Sequence, residues 1–203
     1  MRLRGIIGCE YSGTVRRAFR ALGHDVWSCD LLPSDDDSPF HIQGDLLDHL
    51  GDGWDFGIFH PPCTHLAVSG AKHFAEKRAS GVQQEALEFV RKLMAAPFPY
   101  ALENPVSIIS TAIHKPSQII HPWMFGHMEQ KTTCLWLSGL PPLIPTSDVR
   151  AQMMLLPKNQ RERLHCLPPS PDRWKLRSTT YPGIAAAMAD QWSAALQLER
   201  IAA

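Results

Sequence analysis

Apolar residues in the first half of the chain come either as short unbroken runs or as wider periodic stretches. Gly5-Ile6-Ile7-Gly8-Cys9 is a run of the first kind and leads into Glu10-Tyr11-Ser12-Gly13. Directly after it, Val15, Ala18, Phe19 and Leu22 fall at i, i+3, i+4 and i+7, which predicts a helix with one apolar face. Ser12 stands where a side chain can cap that helix, and Gly23 where a left-handed residue can close it. The run Asp25–Asp30 predicts a second strand ending in an acid. The loop over residues 31–39 carries Asp35-Asp36-Asp37, which reads as a solvated tip.

A third short strand is expected to end near Gly44-Asp45, and a fourth, over 54–59, runs into His60-Pro61-Pro62-Cys63. Val82, Ala86, Phe89, Val90 and Leu93 mark one face of a helix over 82–94. Residues 99–102 predict a fifth strand, stopped by Glu103-Asn104-Pro105, and 132–137 another strand. Residues 141–178 are rich in proline and polar groups, with a short helical stretch near 147–156. From Pro182 onward, Ile184, Met188, Trp192, Ala195 and Leu196 form the buried stripe of a closing helix. Strands separated by helical segments imply a mostly parallel sheet with helices on both faces. The expected architecture is one α/β domain over 1–203, interrupted by an irregular insert at 138–180.

Composition narrows the function classes. A chain of 203 residues, 44% of them hydrophobic, can fill one core and is not a disordered polyelectrolyte. Twenty Lys and Arg balance twenty Asp and Glu, which argues against a general polyanion binder but leaves room for a local basic surface. Such a surface is offered by the insert, where Arg150, Lys158, Arg161, Arg163, Arg173, Lys175 and Arg177 outnumber Asp148, Glu162 and Asp172. These cations can contact phosphates and Trp174 can stack on a base, or the segment is a solvated loop. No apolar run approaches the ~20 residues that span a bilayer. The first residues also lack the order of a signal peptide, so the expected location is cytoplasmic and away from membranes. Five cysteines without a C-x-x-C pair suggest neither a disulfide scaffold nor a zinc ribbon. His60 and Cys63 form an isolated H-x-x-C with no second ligand pair, so no metal is expected.

Glu10, Asp30, Asp45, Cys63 and Glu103 each close a predicted strand. In open α/β sheets ligands sit outside the carboxyl ends of the strands, so five polar residues at such ends point to one shared cleft. Cys63 follows two prolines, whose fixed φ angles make a stiff loop. A nucleophilic thiol facing the Glu103 carboxyl suits attack on an electron-poor ring, with the acid protonating that ring.

With these residues in place, the sequence resembles the DNA cytosine-5 methyltransferases. Tyr11-Ser12-Gly13 is similar to the family's first cofactor motif, Asp30 to its ribose-binding acid and Asp45 to its adenine-contacting acid. Pro61-Pro62-Cys63 resembles the nucleophile motif, Glu103-Asn104-Pro105 the Glu-Asn motif, and Thr180-Tyr181-Pro182-Gly183-Ile184 sits in the place of the closing cofactor motif. The segments 115–120 and 131–137 look like those of small phage and prophage proteins of this kind. The resemblance implies a Rossmann-like methyltransferase fold that takes S-adenosylmethionine at Tyr11, Ser12, Gly13, Asp30, Asp45 and Pro61. It also implies that Cys63 adds to carbon 6 of cytosine while Glu103 protonates N3, with Lys131 and Thr133 in the places of an arginine pair that positions the base. Val15 stands where the family has a second glycine, Thr133 lacks the arginine charge, and Thr64 replaces a glutamine. The implied partner is DNA, single-stranded or read with little specificity, because 43 positions replace a separate recognition domain. A free pyrimidine nucleotide as acceptor, a different one-carbon donor, and a binding protein without turnover remain alternatives.

Overall fold

The computed structural model describes residues 1–202, with side chains through residue 201. Its strands are β1 (Arg4–Gly8), β2 (Asp25–Asp30), β3 (His41–Gln43), β4 (Phe56–Phe59), β5 (Tyr100–Pro105), β6 (Gln118–Ile120) and β7 (Thr133–Ser138). Its helices are α1 (Thr14–Ala21), α2 (Phe74–Ala79), α3 (Val82–Met94), α4 (Ile109–Ala112), α5 (Arg150–Met154), α6 (Lys158–Arg161), α7 (Arg163–Cys166), α8 (Arg173–Ser178) and α9 (Pro182–Ala202). The strands form one sheet in the order β3-β2-β1-β4-β5-β7-β6. Neighbours from β3 to β5 are parallel, and β7 runs antiparallel to both β5 and β6. The protein is therefore an α/β structure with a mixed, mostly parallel sheet.

Helices cover both faces, which explains why the central strands read as apolar runs rather than alternations. Because successive strand residues face opposite ways, Ile7 and Ile58 meet Val15 and Phe19 of α1 and Met188 and Trp192 of α9. Ile6, Phe59, Leu102 and Trp136 face the other way and meet Leu87, Val90 and Leu93 of α3. Each such large side chain contributes about 1.5–3 kcal/mol on burial, so the two layers dominate the stability. Helix α9 begins against the chain at Phe125: a Cβ on Gly183 would run into the Phe125 carbonyl oxygen. The Gly183 N–H donates to His127 Nε2 at 2.9 Å, satisfying one open donor of the first turn.

Several local expectations change. Ser12 does not cap α1; Gly13 holds that position at φ 65°, and the helix N–H groups of Val15 and Arg16 donate to the Glu10 carboxylate at 2.6 and 3.3 Å. Gly23 closes the helix at φ 84°, as its position suggested. The Asp triplet is not a free tip, because Asp36 takes a bidentate pair from Arg16 at 2.5 and 2.6 Å and a further bond from Arg17. Arg16 is only 1% exposed, and these bonds, with one to Ser28 Oγ at 2.8 Å, are what permit its burial. Glu103-Asn104-Pro105 does not stop β5: those residues pair with Leu135, Cys134 and Thr133 of β7. The short strand β6 was not anticipated. Helix α3 has the expected bounds, but it buries Gln83 and Leu87 rather than Val82 and Ala86, because the Gln83 amide donates to the His65 carbonyl at 3.1 Å. The irregular region contains four short helices, α5 to α8, and sends Leu143, Met153 and Leu164 into the interior.

Candidate active site

The strand order reverses direction between β1 and β4, and the crevice beyond their carboxyl ends is where this topology opens. Five chain segments meet there. β1 delivers Glu10 to Gly13, β2 delivers Asp30, the end of β3 leads to Asp45, β4 delivers His60 to Cys63, and β5 delivers Glu103. β7 runs the other way, so its beginning lies at the edge where its neighbours end. Pairing of Thr133 with Pro105 thus brings Lys131 to the Glu103 side.

The loop that carries Cys63 is held by hydrogen bonds on both sides. The Cys63 carbonyl accepts from the N–H groups of Leu66 and Ala67 at 3.0 and 2.9 Å, and Asn104 Nδ2 donates to the Pro61 carbonyl at 2.9 Å. Pro61 is buried, whereas Cys63 is an exposed residue. Desolvation of its thiol and the charge of Glu103 push its pKa up, while Lys131 and Arg177 pull it down. Burial tends to raise the Glu103 pKa, but a hydrogen bond from His60 and the charges of Lys131 and His60 overcome it, leaving the carboxyl below the usual glutamate range. His60 Nδ1 lies 3.3 Å from Glu103 Oε2. Lys131 Nζ donates to the Arg177 carbonyl at 3.1 Å, which joins the insert to this part of the cleft. Thr133 is buried in the sheet and brings no charge.

On the other side of the crevice the strand-end residues are engaged differently. Asp30 accepts from the Leu32 N–H at 2.9 Å and is raised in pKa, chiefly by burial. Asp45 accepts from the Leu47 N–H at 2.9 Å and caps the short turn Leu46–His49, so its local role is that of a cap. Tyr11 is buried beneath α8: its ring centroid lies 5.4 Å from that of Trp174, and its hydroxyl 3.4 Å from Ser178 Oγ. Ser12 Oγ sits 3.2 Å from Thr14 Oγ1. Trp174 thus packs on the Tyr11 ring while remaining about half exposed, at 48%.

Sequence reasoning assembled the thiol, the acid and Lys131, but it missed three partners. In the sequence His60 reads only as half of an H-x-x-C pair, Arg177 only as one cation among seven, and Glu10 only as a cleft acid. The signal available for His60 was its position: it follows Phe59, which is in register with Leu102, so His60 falls beside Glu103. Among the described residues there is no group of three or more His, Cys, Asp and Glu side chains arranged to hold a metal. Two surface hollows of about 360 Å³ each lie along α3 and are lined by none of the strand-end residues. No protein-family model matches the chain, and no curated protein matches it.

Proposed function

We propose that the protein transfers a methyl group from S-adenosylmethionine to carbon 5 of cytosine in DNA, on a Rossmann-like methyltransferase fold. The observation that carries this reading is the placing of a loop thiol after β4 and a part-buried carboxyl on the neighbouring β5, with the carboxyl's charge acting on the thiol. That pairing is what nucleophilic attack on a pyrimidine requires, and it lies at the topological switch point where α/β sheets bind ligands. The run β3-β2-β1-β4-β5 is also the beginning of the dinucleotide-binding strand order.

The cofactor fits the residues at the β1 and β2 ends. Gly13, left-handed, lets the Arg16 and Arg17 guanidinium groups close against the turn before α1, and the half-buried Asp30 carboxyl would suit ribose hydroxyls. S-adenosylmethionine would supply the electrophilic methyl group. Cys63, as thiolate, adds to carbon 6 of cytosine, and Glu103 gives a proton to N3, so that carbon 5 becomes the nucleophile. Loss of the carbon 5 proton and departure of Cys63 complete the cycle. Lys131 and Arg177 favour the thiolate, and a Glu103 that has taken up a proton no longer opposes it. A base in duplex DNA must first leave the stack, at about a few kcal/mol.

One observation favours a smaller acceptor, a free pyrimidine nucleotide. The insert folds down on Tyr11, and three of its cations are spent within the chain: Arg163 on Glu129, Lys175 on Asp35 and Lys158 on Glu162. Incubation with methyl-labelled S-adenosylmethionine and either single-stranded DNA, duplex DNA or dCMP decides between acceptors. DNA carrying 5-fluorocytosine should trap a covalent adduct with the unaltered protein and none with Cys63→Ala; an adduct with the alanine variant removes the reading.

A further inference from the structure

The least expected group in the crevice is His60. Its side chain is 9% exposed, and it occupies the first position after β4, beside Glu103 of β5. Glu10, at the end of β1, lies close enough on the other side for the His60 charge to act on its carboxyl. One buried and two part-buried ionisable groups thus stand in a row across β1, β4 and β5. An ionised carboxylate only accepts hydrogen bonds, so the 3.3 Å approach of Nδ1 to Glu103 Oε2 requires a proton on Nδ1. The other ring nitrogen, Nε2, is buried with no hydrogen-bond partner among the described residues. Burial leaves no bulk water to orient the ring or to exchange protons with it freely.

We infer that His60 is the positioning residue of Glu103: it fixes the orientation of that carboxyl and holds the proton that Glu103 passes on. This rests on the methyltransferase reading for its chemical consequence, although the pairing itself does not. The relay requires that, before reaction, His60 carries a proton on both ring nitrogens while the Glu103 carboxyl, held below the usual glutamate range, is ionised. When the pyrimidine is seated and the Cys63 sulfur adds to carbon 6, one proton moves from His60 Nδ1, through the Glu103 carboxyl, to N3, leaving His60 neutral. Once carbon 5 carries the methyl group, its proton passes to solvent water, elimination of Cys63 reforms the carbon 5–carbon 6 double bond, and the N3 proton returns by the same route. The electron pair that forms the sulfur–carbon bond leaves with sulfur at the end, so the relay is restored without an added acid. The charged and titratable groups bearing on this pair are Glu10 from β1, Cys63 from the loop after β4, Lys131 before β7 and Cys134 within it.

The test begins with the unaltered protein. Nitrogen-15 spectra of labelled histidine should show His60 protonated on both Nδ1 and Nε2 at neutral pH; a neutral ring of either tautomer overturns the inference. The variant His60→Asn keeps a donor near the same place but cannot ionise. Carbon-13 titration of Glu103 should then move to higher pH than in the unaltered protein, and an unmoved titration overturns the inference. Methyl transfer by His60→Asn should show kcat reduced about tenfold or more, KM within about twofold, and a changed pH profile; an unchanged profile likewise overturns it. The spectra need no substrate, so the two readings fail separately. A doubly protonated His60 with no transfer to any acceptor removes the methyltransferase reading alone, and transfer with an unmoved Glu103 removes the role of His60 alone.

Discussion

Glu10, just beyond β1, and Glu103, in the second half of β5, sit on strands one removed from each other; Glu10 is buried and Glu103 is part-buried. Their pKa values nevertheless move in opposite directions. Burial raises Glu10, and the opposing help from His60, two backbone N–H groups and Arg16 does not overcome it. Glu103 faces the same desolvation, but a direct bond from His60 and the charge of Lys131 bring it below the usual range. Glu10 is tied to the first turn of α1, whereas Glu103 is tied to side chains that can themselves move charge. Depth alone does not make a carboxyl reactive; the identity of what it is bonded to does.

The largest expected separation between the two is in turnover. Glu103→Gln should lower kcat for methyl transfer by about 10²–10⁴-fold, the usual range for a lost general acid. Glu10→Gln should remain within about tenfold of the unaltered protein. Equal losses in the two, measured with labelled donor, would erase the distinction.

Stability should reverse the ranking. Glu10→Ala leaves the Val15 and Arg16 N–H groups without their acceptor in a buried setting, which should cost about 1–3 kcal/mol in urea unfolding. The pH dependence separates the pair further. Glu103 has a depressed folded pKa, so its stabilisation is present above the unfolded value and is lost as pH falls through the folded one. Glu10 has a raised folded pKa, so it takes up protons on folding and its contribution weakens as pH rises above the ordinary glutamate range. The pH dependence of unfolding should therefore flatten below the ordinary glutamate range for Glu103→Gln and above that range for Glu10→Gln.

The smallest effect is on the neighbouring thiol. Removing the Glu103 charge should speed alkylation of Cys63 by iodoacetamide several-fold at slightly alkaline pH, because the thiolate becomes easier to form. Lys131→Met and Arg177→Met should slow it, and Glu10→Gln should leave it nearly unchanged. Peptide mass spectrometry keeps this signal apart from Cys166, which is also exposed.

What could be read in advance followed the reach of each interaction along the chain. Helices α3 and α9 and strand β2 emerge from local periodicity, since the burial that creates the pattern repeats every two or three to four residues. The polar strand ends could be read for the same reason, as interruptions of that pattern. Arg16 is the opposite case: within α1 it looks solvated, and its partner Asp36 lies in a different loop. Pro105 reads as a strand breaker, but it is the last residue of β5 and pairs with Thr133 there. β6 has three residues, too few to show an alternation. His60 was hidden because one histidine before two prolines carries no period at all; only the register with β5 gives it a neighbour.

The reversed direction of β7 has a practical consequence for redesign. Glu10, Asp30, Cys63 and Glu103 arrive on the outgoing arm of a strand, where a changed residue disturbs the turn that follows, and Arg177 arrives from α8. Lys131 arrives on an incoming arm, fed by residues 121–132, and the hydrogen-bonded ladder begins only at Thr133. Lengthening or shortening that feed by a residue would relocate the cation while leaving the sheet's pairing intact. The position of the charge is thus a matter of chain length, adjustable apart from the fold that holds the thiol and the acid.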